Sequence, residues 1–247
     1  MRRRFFVGHF AQGMARLAGE TAYHLARVLR AERGQLYELS DGQRVFLARV
    51  ERVGRDAVDF TLVEPVPATA PALRMELLLA VVKFDRFEWA LEKATELGVA
   101  VVVPLAAGRS DKKLVAAASR RAVRWRKILL ESAQQARCLR PPELHALACP
   151  ADAFRAADHS VRILLSERAG APRLKSVLEG KSASRPATAG DPVRLCLAVG
   201  PEGGWTDAEF SAAAEAGFVE ASLGELVLRT ETAVVAGLAA AHLYFDS

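Results

Sequence analysis

The stretch 195–210 changes character twice, and few folds accommodate the change. Leu195-Cys196-Leu197-Ala198-Val199 carries no charged or hydroxyl side chain on either face, which fits a strand buried on both sides in a parallel sheet. It runs straight into Gly200-Pro201-Glu202-Gly203-Gly204. Thr206 with Glu209 three residues later forms a capping box, so a helix begins at once. A tight loop at the carboxyl end of such a strand is where open α/β sheets bind ligands. Its glycines let a flat ligand approach the backbone and leave N–H groups free to hold it. No Gly-Lys-Ser/Thr follows, so this is not a phosphate-binding P-loop, and Gly-x-Gly-x-x-Gly is also absent. Taken alone, the loop also fits a plain strand-to-helix turn, the lesser of the two readings.

The rest of the chain supplies a sheet for that strand. Residues 74–82 read as a strand with Lys83 at its carboxyl end. The helix that follows from Phe84 puts Phe84, Phe87, Leu91, Ala94 and Leu97 on one face and closes at Gly98. Residues 99–103 form the next buried strand, completing a βαβ unit. A long helix over 113–136 is stopped by Pro141-Pro142, and 161–165 is another buried strand. Residues 175–192, rich in Lys, Ser, Ala, Gly and Pro, read as a loop. A last helix over 230–244 carries alanines and Gly237, which allow close packing, here expected against a second copy. Upstream, 4–7, 35–39, 44–50 and 57–63 read as strands, with a hairpin turn at Ser40-Asp41-Gly42-Gln43 and a short helix over 20–29. Several short strands with one helix suggest a small barrel. Prolines 65, 67 and 71 mark a linker. Two domains follow, 1–70 all-β and 71–247 α/β with a largely parallel sheet.

The formal net charge of +5 favours an acidic partner. Its distribution says more. Between Gly108 and Pro141 lie Arg109, Lys112, Lys113, Arg120, Arg121, Arg124, Arg126, Lys127, Arg137 and Arg140, against only Asp111 and Glu131. The acids that normally balance a solvated helix face are missing, which favours phosphate contact. Cys138, Cys149 and Cys196 lack metal-ligand spacing and the five histidines are scattered, so no metal is expected. No signal peptide and no apolar run of the ~20 residues a membrane span needs are evident, which predicts a cytoplasmic protein.

A second stretch repeats the grammar of the first. Leu223-Gly224-Glu225-Leu226-Val227-Leu228-Arg229-Thr230-Glu231-Thr232-Ala233 is an apolar segment followed by a polar turn that enters a helix. Together with Gly-Pro-Glu-Gly-Gly it resembles the knotted (SPOUT) RNA methyltransferases, and more narrowly the RsmE family, which methylates N3 of a uridine in 16S ribosomal RNA. Lys83-Phe84-Asp85-Arg86 and Glu92-Lys93-Ala94-Thr95-Glu96-Leu97-Gly98 are similar to that family's signatures as well. The resemblance covers nearly the whole chain. It implies a SPOUT trefoil knot preceded by a PUA-like β-barrel, a homodimer, S-adenosylmethionine as cofactor, and uridine 1498 within the small (30S) subunit as target. It places cofactor contacts at Leu165, Glu167, Val199, Gly200, Pro201, Glu202, Gly203, Gly204, Leu223, Gly224, Leu226, Leu228, Arg229 and Thr230. Gln135 and Arg137 correspond to an element near that family's active site. RNA contacts are expected at Arg4, at His24, Arg27 and Arg30, and at Lys83, Arg86, Arg109, Lys112 and Arg124. Lys83 and Arg86 equally suit a contact with the partner subunit or a plain surface position.

The chemistry then sets requirements. Uridine N3 carries an imide proton at neutral pH, and its loss spreads negative charge onto O2 and O4. The site needs a proton acceptor and donors aimed at those oxygens. Arg229 and Arg137 suit the electrostatic role, with Gln135 beside them, but guanidinium is no base. Glu231 or Glu202 could accept the proton; Glu231 equally fits a first-turn carboxylate favoured by the helix dipole. The rivals are a knotted methyltransferase acting on ribose 2′-OH or another base, and a non-catalytic RNA-binding protein on the same fold. A nicotinamide oxidoreductase is remote, because the fingerprint glycines and the downstream ribose acid are both missing.

Overall fold

The computed structural model describes residues 3–68, 71–182 and 192–245. The chain divides into two compact units: Met1–Thr69 with Ala133–Pro141, and Ala70–Ser132 with Pro142–Ser247. A single cut at residue 70 therefore misses the return of 133–141 to the first unit.

The first unit is built on five strands, β1 (Arg4–Phe6), β2 (Met14–Ala18), β3 (Leu36–Ser40), β4 (Val45–Val53) and β5 (Ala57–Val66), in the order β1-β3-β4-β5-β2. All its pairings are antiparallel except β1 with β3. The β3–β4 hairpin turns as the sequence predicts. Asp41 Oδ1 accepts from the backbone N–H groups of Gln43 (2.9 Å) and Arg44 (2.7 Å), and Gly42 takes φ +85°. Strand β2 was not foreseen. The helix expected over 20–29 is instead a short α1 (Gly19–Tyr23) followed by a π-helical turn, His24–Val28. Phe5, Leu25, Leu39, Val50 and Phe60 are fully buried, each stabilising the unit by about 1.5–3 kcal/mol relative to exposure. The returning segment is hydrogen-bonded to this sheet's loops. Ser40 Oγ donates to Leu139 O (2.6 Å) and Arg140 Nη2 to Gly42 O (3.0 Å).

The second unit holds a six-stranded sheet of β6 (Leu73–Ala80), β7 (Val99–Leu105), β8 (Glu143–Leu144), β9 (Val161–Leu165), β10 (Val193–Val199) and β11 (Val219–Ala221). The order is β11-β9-β10-β6-β7-β8 and every pairing is parallel. Helices α2 (Phe84–Glu96), α3 (Lys112–Ala136), α4 (Pro150–Ala156), α5 (Leu174–Ser182), α6 (Asp207–Glu215) and α7 (Thr230–Phe245) accompany it. The period-two pleat of a strand explains the apolar run at 195–199. Leu195, Leu197 and Val199 enter one core with Phe87 and Leu91 of α2, Trp125 of α3 and Leu238 of α7. Cys196 and Ala198 enter the other with Phe154 of α4, Trp205 and Phe218.

Three expectations change here. The supposed loop 175–192 contains α5; residues 183–191 lie outside the described residues. Gly237 serves packing within the chain, since a Cβ there would lie 2.9 Å from Leu197 Cδ2 and 3.2 Å from Leu165 Cδ1. The segment 222–228 that precedes α7 is a loop, its strand being the short β11 just before it. Among the described residues no helix is long and apolar enough to cross a membrane.

Candidate functional site

The order β11-β9-β10 brings three consecutive carboxyl ends side by side, and the loops leaving them enclose one pocket. It holds a cavity of about 70 Å³ that opens to solvent. Short hydrogen bonds fix the walls. Trp205 Nε1 donates to Leu165 O (3.0 Å), joining the loop after β10 to the end of β9. Thr230 Oγ1 donates to Gly200 O (3.0 Å), joining the start of α7 to the same loop. Gly204 N–H donates to Pro201 O (2.8 Å), closing the turn. Ser222 accepts from Gly224 N–H (3.2 Å) and donates to its carbonyl (2.9 Å), which holds the third loop.

Two glycines are required by this geometry. Gly204 sits at φ +69°, and a Cβ on it would lie 2.4 Å from Glu167 Oε1. Gly200 faces the Trp205 indole, and a Cβ there would stand 3.0–3.3 Å from three ring atoms. The helix after the loop starts as predicted. Thr206 Oγ1 accepts from Glu209 N–H (3.3 Å), and Glu209 Oε2 accepts from Thr206 N–H (2.7 Å). Glu209 is also buried and accepts from Gly108 N–H (2.8 Å) through its other oxygen, tying the loop before α3 to this corner.

Of the residues assigned to a cofactor from sequence, Leu165, Glu167, Val199, Gly200, Pro201, Glu202, Gly204, Leu223, Gly224, Leu226, Leu228 and Thr230 line this pocket. Gly203 and Arg229 do not. The carbonyl of Gly203 accepts from Arg109 Nη1 (2.9 Å), and Arg229 is exposed. Ser166, Trp205, Ser222, Val227 and Ala233 also line it and were not foreseen. Their signal was adjacency, since each lies within three residues of a predicted one.

The charged residues divide more sharply. Arg86, on the first turn of α2, is ion-paired with Glu202, and its Nε lies 3.9 Å from Glu231 Oε1. Glu231 Oε2 is buried with no hydrogen-bond partner. Arg137 and Gln135 belong to the first unit. Arg137 takes φ +56°, its carbonyl accepts from Arg4 Nη1 (2.6 Å), and its Nη1 lies 3.7 Å from Glu38 Oε1. Gln135 is exposed, whereas the neighbouring Gln134 is buried. Arg4, expected on RNA, is buried and bonds Glu38 Oε2 through Nε (3.1 Å) and Nη2 (2.9 Å), so its guanidinium closes an internal ion pair. Arg124 bonds Glu88 (2.7 Å) and Arg109 is spent on Gly203. Lys83, Lys112, Arg27 and Arg30 are exposed and His24 is half-buried. Among the described residues Lys113, Arg120 and Arg126 are exposed cations without an ion pair, a signal already present in the basic run.

Residues 69–242 match the model of the RNA methyltransferase domain family. The ribosomal RNA small subunit methyltransferase E of Synechocystis sp. is 30% identical over 234 residues, covering 91% of this chain and 71% of that protein. Its counterpart from Mycobacterium bovis is 31% identical over 230 residues, 90% of this chain and 83% of its own. A solved structure described as a methyltransferase of Legionella pneumophila in complex with the bound cofactor SAM is 27% identical, with a TM-score of 0.81 over 98% of both chains. The ribosomal RNA small subunit methyltransferase E of Neisseria gonorrhoeae shares the fold, with a TM-score of 0.83 at 24% identity over 98% of both chains.

Proposed function

The chain belongs to the ribosomal RNA small subunit methyltransferase E family, and from that premise we propose that it methylates N3 of a uridine in small-subunit (16S) ribosomal RNA with S-adenosylmethionine as donor. The observation that carries the proposal is the single pocket where the loops after β9, β10 and β11 meet. Its residues suit such a donor. Leu165, Leu223, Leu226 and Leu228 offer apolar walls to a purine, and the backbone of the glycine loop offers N–H and C=O groups to polar edges. Glu167 and Glu202 supply carboxylates for hydroxyl or ammonium groups. Glu202 and Glu231 against the one guanidinium of Arg86 leave a negative charge beside the pocket, which favours a sulfonium. When bound, the donor supplies an activated methyl group.

The acceptor is the harder half, and this chain's own groups must prepare it. Glu231, in the first turn of α7 between the lining residues Thr230 and Ala233, is the proton acceptor for N3–H; its place beside the pocket wall supports this role. Arg229, one residue outside the wall, steadies charge developing on the uracil carbonyls. The roles of Arg137 and Gln135 rest on the family resemblance alone.

We place the second unit among SPOUT trefoil-knot folds and the first among PUA-like barrels. The all-parallel sheet and its converging loops support the former, and the five-stranded sheet around Phe5, Leu39 and Phe60 the latter. The exposed apolar residues Leu226 and Val227, 82% and 76% accessible in the monomer, support a homodimer in which a second copy covers them. The exposed cations Lys113, Arg120 and Arg126 grip phosphate, so RNA binding weakens with salt. A target base inside RNA must be unpaired or flipped to present N3. The protein acts in the cytoplasm, with its substrate.

The test is methyl transfer from labelled S-adenosylmethionine to small subunits lacking the modification, followed by nucleoside analysis. Label in 3-methyluridine supports the reading. Label in a 2′-O-methyl nucleoside, or none at all with the donor bound, overturns it.

A further inference from the structure

The first unit carries a surface that the donor pocket does not use. Helix α1 ends at Tyr23 and runs into the π-helical turn His24–Val28. There Leu29 N–H donates to His24 O (3.0 Å), a five-residue step in place of the four of an α-helix, and Ala31 N–H reaches back to Leu25 O (3.1 Å). Ala22 and Leu25 are buried in the core of this unit, while Tyr23, Arg27 and Val28 face outward. Single π-helical turns of this kind occur frequently at functional sites. The chain leaves the turn through Arg30 at φ +50°, a left-handed conformation that costs an arginine energy. Such strained positions cluster where a ligand is held.

Tyr23 is 57% exposed and Val28 60%. Apolar residues scattered singly over a surface need no explanation, but these two leave the same turn and one is aromatic. Arg27 and Arg30, both exposed, lie beside them, and no acid occurs between Thr21 and Ala31. An aromatic face among guanidinium groups matches the chemistry of an unpaired nucleotide. The ring stacks on the base, whichever base it is, and the cations take the phosphates on either side. A base inside a duplex offers no free face, because its neighbours cover both.

We propose that Tyr23, with Val28 on the same turn, is a stacking platform for an unpaired base of the substrate RNA, and that Arg27 and Arg30 hold the phosphates next to that base. This rests on RNA being the substrate. It gives the basic turn a specific occupant, single-stranded RNA, and adds two residues that the sequence did not mark.

The experiment measures binding of a short labelled single-stranded oligoribonucleotide of mixed sequence, and of its duplex, across a salt series. The whole chain is compared with its Tyr23→Ala, Tyr23→Phe and Arg27→Ala variants, without donor, so the result does not depend on which atom is methylated. Tyr23→Ala should weaken the single strand about 5–150-fold, the worth of one stacked base, and change the duplex less than about threefold. Tyr23→Phe keeps the ring and should bind the single strand within about threefold of the parent. Tyr23→Ala removes no charge and should leave the slope of log affinity against log salt unchanged, whereas Arg27→Ala should lower its magnitude by about 0.7. Thermal midpoints should match the parent's, because both side chains are exposed. Unchanged single-strand binding in Tyr23→Ala would overturn the proposal. So would an equal loss in Tyr23→Phe, which would make the hydroxyl the contact, or an equal loss on the duplex, which would make the turn a reader of backbone shape. A raised KM for assembled subunits with the free single strand unaffected would assign the surface to a subunit protein and overturn it as well. Intact stacking without any 3-methyluridine formed would sink the methylation reading alone.

Discussion

Gly200→Ala adds one methyl group and tests the architecture of the pocket. The new Cβ would stand 3.0 Å from Trp205 Cε2, 3.1 Å from Nε1 and 3.3 Å from Cδ2. Trp205 has little room to yield. It is 2% exposed, packs edge-on against Phe154 at 5.7 Å, and donates to Leu165 O at 3.0 Å. Overpacking of a tight core costs about 1–3 kcal/mol, and displacing the indole also strains a buried hydrogen bond of about 1 kcal/mol net. The carbonyl of Gly200 accepts from Thr230, so movement would reach α7 and the far wall. At 1.4 kcal/mol per decade, a cost of 1–3 kcal/mol falling on the binding-competent pocket weakens S-adenosylmethionine about 5–150-fold. If it falls on folding instead, the thermal midpoint drops, by about 2–4 °C per kcal/mol in a chain of this size. Calorimetric titration of the donor and thermal unfolding of the same samples separate the two. Gly203→Ala is the control, because its Cβ would meet Arg109 Cβ at 3.2 Å, a contact of similar tightness, yet Gly203 does not line the pocket. It should change affinity less than about threefold. Donor affinity and melting both unchanged in Gly200→Ala would refute the claim that the indole braces this wall.

Three further outcomes follow from the structure. Glu209→Ala removes the acceptor for Gly108 N–H and Thr206 N–H at once, which should destabilise by about 1–3 kcal/mol, read as a lower denaturation midpoint with an unchanged slope. Burial pushes the Cys196 thiol well above its usual value, and Cys149 is exposed; a thiol reagent at mildly alkaline pH should label Cys149 first and reach Cys196 only on unfolding. Burial, then the guanidiniums of Arg194, Arg162 and Arg74, push His159 below its ordinary value of 6.5 against the pull of Asp158, while burial raises its 3.2 Å neighbour Glu76. The folded state thus holds fewer protons at His159 than the unfolded state, and the stability it contributes is full above about pH 6.5 and lost as pH falls below it. The raised Glu76 works in the opposite sense, favouring the fold below its unfolded value of about 4.5 and losing that contribution as pH rises through its folded value. Chemical unfolding from pH 7.5 to 5.5 should show a fall that His159→Gln flattens.

What was legible in the sequence was local. The capping box at Thr206 and Glu209, the hairpin at Asp41-Gly42 and the buried run at 195–199 each depend on neighbours a few residues apart, and each stands as read. Short elements escaped. β2 buries only Ala15 and Leu17 of its five residues, and β11 has three residues in all, too little for a periodicity to register. α5 was hidden by the Gly, Ser and Lys of its own composition. Long-range pairings escaped for a different reason. Arg4 bonds the carbonyl of Arg137 across 133 positions, and Arg86 reaches Glu202 across 116. Nothing in local spacing distinguishes an arginine that will meet a protein oxygen from one that will meet phosphate, and Arg4, Arg109 and Arg124 were expected on RNA, and Arg86 among other readings, for that reason. The pocket was legible because its walls are three contiguous runs of chain. The charge network behind it was not, because its members come from three elements.

The most direct measurement is a primer-extension stop on small-subunit ribosomal RNA from cells lacking this protein. N3 methylation blocks Watson–Crick pairing and halts the polymerase. The stop should be absent from the deletion strain and return when its small subunits are incubated with purified protein and S-adenosylmethionine, but not with the Glu231→Gln variant. A stop that persists in the deletion strain, or one that the purified protein and donor fail to restore, would contradict the account.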